Sequence, residues 1–111
     1  MSKVLAGIRV LDFGRYIAGP YCATLLGDMG AEVIRIEKID GSEDRFLSPI
    51  SDKGDGALFM QLARNKLCMT LNPMKPEGRE IVKKLVATAD VVIANLPPDT
   101  LQNMGLDYES L

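Results

Sequence analysis

The sequence predicts an α/β fold: a Rossmann-like, mostly parallel sheet with flanking helices, the incomplete half of a doubly wound domain. Three observations predict it. Short apolar, β-rich runs alternate with segments whose apolar residues recur at helical spacing. The first run passes through Gly14 directly into a helix start at Gly19-Pro20, the place where open α/β sheets bind ligands. The last run, residues 91–94, is continuously apolar, as strands covered on both faces are.

The elements follow in order. Ile8, Val10, Leu11 and Phe13 predict a strand over 8–13, ended by Gly14. A helix over 20–29 follows, with Pro20 at its first position, where the missing N–H costs nothing. Cys22, Leu25, Leu26 and Met29 fall at i, i+3, i+4 and i+7 and predict its buried face. Gly30 stands where a left-handed C-terminal residue belongs. Val33, Ile34 and Ile36 predict the second strand, ending at Glu37-Lys38. This unit is expected to be parallel and right-handed.

Residues 39–56 read as a long polar loop, functional or mobile, its acids a solvated face. A short helix over 57–63 and a third strand over 66–71 follow. Pro76 opens a helix over 76–87, with Ile81, Val82, Leu85 and Val86 as its stripe and Glu80–Lys84 as an exposed pair. Lys75 takes the cap position that Ser, Thr, Asp or Asn usually fills. The fourth strand is 91–94. A helical turn over 99–104 closes at Gly105, and Asp107 reads as the cap of another helix that residues 108–111 only begin. We therefore expect a single segment, 1–111, of a longer α/β protein or a truncated product.

Composition narrows the function. The 111 residues are 47% hydrophobic and 25% charged, with a net charge of −2, an ordinary globular balance. No basic block suggests nucleic acid or a membrane surface, and no apolar run reaches a membrane span. Met-Ser-Lys-Val-Leu-Ala lacks the apolar stretch of a secretory leader. Two isolated thiols, Cys22 and Cys68, read as core packing rather than a disulfide framework, so the expected compartment is the cytoplasm. There is no His, which removes the commonest general base and metal ligand; no metal site is expected. A nicotinamide or flavin site is considered because Glu37 ends the second strand. It is set aside because Tyr16 occupies the place of the second glycine of the fingerprint.

Longer stretches carry a resemblance. They are Leu5-Ala-Gly-Ile-Arg-Val-Leu-Asp-Phe13, Ala18-Gly-Pro20 and Leu26-Gly-Asp-Met-Gly-Ala-Glu-Val-Ile-Arg-Ile-Glu-Lys38. Asn65-Lys66, Pro76-Glu-Gly-Arg79, Ala89-Asp-Val-Val92, Asn95 and Met104-Gly-Leu106 follow in the same order. Over nearly the whole chain this resembles the N-terminal portion of family III CoA-transferases, which includes formyl-CoA transferase, carnitine CoA-transferases and α-methylacyl-CoA racemases. The resemblance implies a Rossmann-like domain, an interlocked homodimer, and acyl-CoA and a carboxylic acid as substrates. It implies transfer of CoA through an Asp carboxylate that lies beyond residue 111, so that this stretch alone is inactive. A racemase or isomerase of the same family, or a non-catalytic chain binding CoA or a partner chain, are the alternatives.

By the same resemblance CoA lies against the strand ends. Ile17 and Ala18 come from the first loop, and Lys38 approaches the phosphates. Leu71, Asn72, Pro73 and Met74 surround the adenine. Asn95, Leu96 and Pro97 line the pantetheine path, and Asn103 stands nearby. Relatives commonly carry Lys where Met74 stands and Arg where Asn103 stands. From the residues themselves, Asp12 is expected to hydrogen-bond a neighbouring loop, Arg15 and Tyr16 lie on the ligand side, and Met60, Met69, Met74 and Met104 read as gap-fillers.

Overall fold

β1 (Arg9–Asp12) lies at the centre of a four-stranded sheet of order β3-β2-β1-β4. The computed structural model describes residues 3–111; Met1 and Ser2, which begin the stretch read above for a leader, lie outside it. The elements along the chain are β1, α1 (Ala18–Asp28), β2 (Glu32–Glu37), a 3-10 turn (Glu43–Phe46), α2 (Ala57–Leu62), β3 (Leu67–Thr70), α3 (Pro76–Val86), β4 (Val91–Ile93) and α4 (Pro98–Met104). Every strand pair is parallel. Val10 sits opposite Val33 on one side and Val91 on the other, and Ile34 opposite Leu67. The chain steps outward from β1 to β3, then crosses back through α3 to place β4 on the other side of β1. That reversal is the switch point of a doubly wound sheet.

Strand alternation divides the core into two layers. Leu11, Phe13 and Ile36 point to one face and pack with Leu71, Val82, Met104 and Leu106, against α3 and α4. Val10 and Val33 point to the other and pack with Ala23 of α1 and with Ala31. Asp12 also points to this second face. Its carboxylate accepts hydrogen bonds from the Gly14 N–H and from Lys66 Nζ, each at 2.8 Å, and Lys66 also donates to the Pro20 carbonyl. The Asp12–Lys66 pair is fully buried and ties the start of β3 to the β1–α1 turn.

Several expectations are corrected. α1 begins at Ala18, so Pro20 is its third residue, still within the turn whose N–H groups have no partner inside the helix. Its buried residues are Gly19, Pro20, Ala23, Thr24 and Gly27, while Cys22, Leu25 and Met29 are exposed. Small residues spaced four apart let the helix axis approach the sheet closely, which turns the larger side chains outward. Cys68 is exposed too, because β3 is an edge strand. β4, expected to be covered on both faces, is the opposite edge and is only partly buried. Glu80 pairs with Lys83 at 3.1 Å, one residue short of Lys84. Asp107 caps a turn, its carboxylate accepting from the Ser110 N–H and hydroxyl, and no helix follows among the described residues.

The loop over 39–56 departs furthest from expectation. Asp44 is buried and forms a two-pronged ion pair with Arg35 Nη2 at 2.7 Å. Arg35 Nε donates to Glu37, and Arg45 holds the same carboxylate from the loop side. Phe59 of α2 lies under both guanidinium groups, 3.9 Å from Arg45 and 5.5 Å from Arg35. Asp44 is therefore structural, and Arg45 and Asp44 fasten the loop over the end of β2, while Asp40, Asp52 and Asp55 are exposed as expected. An arginine on a covered strand face requires an acid to come to it, and Asp44 is the loop acid that does.

Candidate functional site

Carbonyl groups at the C-terminal ends of parallel strands point out of the sheet, so something must cover them. Here the β1–α1 loop does so. Arg15 Nη1 donates to the carbonyls of Phe13 (3.0 Å), Gly14 (2.8 Å) and Ile36 (3.3 Å), the ends of β1 and β2. The loop's backbone is held from across the switch point by Asn95. The Asn95 Oδ1 accepts from the Arg15 N–H at 2.7 Å, and its Nδ2 donates to the Arg15 carbonyl at 2.9 Å. Gly14 and Gly19 make this possible. A Cβ on Gly14 would lie 2.8 Å from the Gly19 backbone, and one on Gly19 would lie 2.7 Å from Asn95 Oδ1. Tyr16, between them, holds a left-handed φ of 60°, a conformation that side-chain-bearing residues adopt mainly where the surroundings impose it.

Beside this loop a cavity of about 470 Å³ opens at the C-terminal ends of β1, β2 and β3. Phe13, Ile36 and Met104 form its floor, the stretch Leu71–Met74 one wall, and Leu96 and Thr100 another. Arg15, Glu37, Lys38 and Asp40 supply its charged groups. Six of the residues that the resemblance implied therefore meet here: Lys38, Leu71, Asn72, Pro73, Met74 and Leu96. The other five do not line this cavity. Ile17 caps α1 and is exposed, Ala18 opens that helix, and Pro97 caps α4. Asn95 spends its amide on Arg15. Asn103 is exposed, and its carbonyl accepts from Arg79.

The charges in the cavity differ in how they are answered. Lys38 is exposed and pairs with Glu43, and the hydrogen bond from Lys38 holds that carboxyl below its usual range. Glu37 is buried. Burial pushes its carboxyl up, but hydrogen bonds from Arg45 and Arg35 outweigh this and hold it low. Arg15 forms no direct ion pair among the described residues; loss of solvent and its neighbour Arg35 lower its pKa, outweighing the more distant attraction of Glu43, Asp44 and Asp12. Sequence reasoning placed Arg15 on the ligand side. It missed Phe13, Ile36 and Met104, whose apolar character marks them equally for the core, of which they are indeed part, and Thr100, which no pattern in the sequence singles out.

The cleft is mostly apolar, carries two cations and two acids, and lies beside the switch point of a parallel sheet, the place where open α/β folds take ligands. The sequence profile of CoA-transferase family III matches residues 5–111, and the chain belongs to that family. It is 43% identical over 109 residues to the succinyl-CoA–L-malate CoA-transferase beta subunit of Chloroflexus aurantiacus, covering 96% of this chain and 27% of that protein. It is 39% identical over 113 residues to formyl-CoA:oxalate CoA-transferase of Rhodopseudomonas palustris, covering 100% of this chain and 26% of that one. The crystal structure of a CAIB/BAIF family protein from Brucella suis superposes with a TM-score of 0.90 at 39% identity, over 99% of this chain and 30% of the other. The chain thus spans about a quarter of the length of the curated relatives it matches.

Proposed function

We propose that this chain is the N-terminal CoA-binding segment of a CoA-transferase, one that moves CoA between carboxylic acids through acyl-CoA thioesters. The catalytic Asp belongs to a part of the enzyme outside residues 1–111. The cavity at the strand ends carries this reading, because it gathers six residues that the family resemblance had implied for CoA. Its aliphatic walls suit adenine and pantetheine, and its cations suit phosphate. The relatives named above transfer CoA to or from malate and oxalate, which supports a carboxylic acid as the second substrate.

Lys38, at the exposed rim, meets the ribose phosphate in this reading. Titration of CoA and dephospho-CoA into the intact protein carrying this chain tests it. Lys38→Ala is expected to weaken CoA by about fivefold, the modest figure an exposed charge allows, and to leave dephospho-CoA nearly unchanged. Equal losses for both ligands would remove the contact. Failure of the unaltered protein to bind either would remove the CoA reading itself.

The enzyme works in the cytoplasm in this reading, as a homodimer, interlocked as in its family, or paired with the remainder of its own fold. Support comes from apolar surface in this chain that has no cover: Leu25 and Met29 on α1 and Leu67 on β3. Among the described residues no helix is long and apolar enough to cross a membrane. Light scattering of the intact protein across a concentration series is expected to give more than the mass of its single polypeptide; a constant single-polypeptide mass would contradict the pairing.

A further inference from the structure

We infer that Arg15 is the residue that holds the diphosphate of the ligand. This rests on the CoA reading above and assigns the deeper of the two phosphate positions. Lys38, Arg35 and Arg45, the other cations at and beyond the end of β2, are each answered by an acid. Lys38 pairs with Glu43, Arg35 with Asp44 and Glu37, and Arg45 with Glu37. Arg15 lines the cavity, is half-buried, and forms no ion pair among the described residues. Only its Nη1 is engaged, and with backbone carbonyls alone. Its Nε and Nη2 make no hydrogen bond among the described residues, and neither is sealed from solvent.

Arg15 loses solvent and faces Arg35, and the attraction of Glu43, Asp44 and Asp12, none of them in direct contact, does not offset this; a bound anion would relieve the cost. The strand-end carbonyls would otherwise repel a diphosphate. Arg15 covers them with one nitrogen and leaves the others of its planar fork for oxygen atoms of the ligand, the geometry in which arginine exceeds lysine. Position favours the diphosphate over the ribose phosphate. Lys38 stands at the exposed rim. Arg15 stands inside, on a backbone that Asn95 clamps to the loop leading to Leu96. The Leu71–Met74 stretch and Leu96, read above as the adenine and pantetheine sides, line the same cavity as Arg15, and the diphosphate is what joins those two parts of the ligand.

The test uses the intact protein and calorimetric titration with CoA, dephospho-CoA and pantetheine. Arg15→Gln is expected to weaken CoA and dephospho-CoA alike, by about tenfold or more, the scale of lost hydrogen bonds to a charged group. Pantetheine binding stays unchanged, and Arg15→Lys recovers part of the loss. An equal loss for pantetheine means that Arg15 only shapes the loop, and overturns the inference. Loss confined to CoA moves the contact to the ribose phosphate and overturns the diphosphate assignment; no loss at all does the same. Should Arg15→Gln fail to fold, shown by its melting curve, Arg15→Lys carries the comparison, with weaker binding of both phosphorylated ligands expected. If the unaltered protein binds none of the three, the CoA reading falls, and inorganic pyrophosphate decides for Arg15. Binding that Arg15→Gln abolishes sustains its role as a diphosphate holder, and absence of binding ends it.

Discussion

Asp44→Ala is expected to destabilise the fold by about 3–5 kcal/mol, the range measured when one partner of a buried ion pair is removed. Asp44 and Arg35 are 2% and 0% exposed in their side chains, so water cannot replace the lost carboxylate. Arg35 would keep only Glu37, a carboxylate that it already shares with Arg45. The loop carrying Asp44 would lose its anchor on β2 and expose Phe59, over which both guanidinium groups sit. Urea or thermal unfolding reads the loss; a change below about 1 kcal/mol would mean that the pair contributes nothing net. Acid should act on the same network. Glu37 has a folded pKa below its ordinary 4.5. It therefore contributes stability that is fully present above that value and is lost as pH falls through the lower folded value. Stability of the unaltered protein should accordingly fall on acidification below about 4.5, and Glu37→Gln should flatten that part of the curve.

Gly78→Ala is the second large effect. In the interior of an exposed helix this change adds roughly 1 kcal/mol of stability, since alanine is the better helix former. Here a Cβ at residue 78 would lie 1.8 Å from the Asn72 carbonyl oxygen and 2.6 Å from its carbon. Those are backbone atoms, with no rotamer to yield. Either α3 lifts from the sheet or the loop after β3 moves. The expected result is a net loss at the upper end of the about 1–3 kcal/mol typical of overpacking. The moving loop is the Leu71–Met74 wall of the cavity, so ligand affinity should fall with stability. A variant that melts higher than the unaltered protein would show that α3 can shift freely.

The secondary structure was largely legible in the sequence. The strands, the three longer helices and Gly105 as a left-handed stop all stand near their expected places, because apolar spacing, prolines and glycines act within a few residues of themselves. The family was legible as well, since its shared stretches run through nearly all of the chain, matching residues 5–111. About half of the implied site residues meet in one cavity, and these sit on strand ends and the loops that leave them.

Strand order was not legible, because nothing local tells β4 to pair with the far side of β1. The buried face of α1 was also misread. Counting hydrophobicity selects Cys22, Leu25, Leu26 and Met29, whereas close approach to the sheet selects Gly19, Ala23 and Gly27, and only the finished packing says which criterion wins. The roles of the charges were hidden for the same reason. Lys38 and Arg15 look alike in a sequence, yet Glu43 forms a direct ion pair with one, while among the described residues acids reach the other only at a distance. By itself, then, the sequence determined the fold class, the family and the positions of the elements, because those depend on patterns within short windows. Only the tertiary structure decided which helix face is buried, which acid fastens the long loop, and which cation lining the cavity has no direct acid partner among the described residues. Each of those depends on what distant residues bring within a few ångströms.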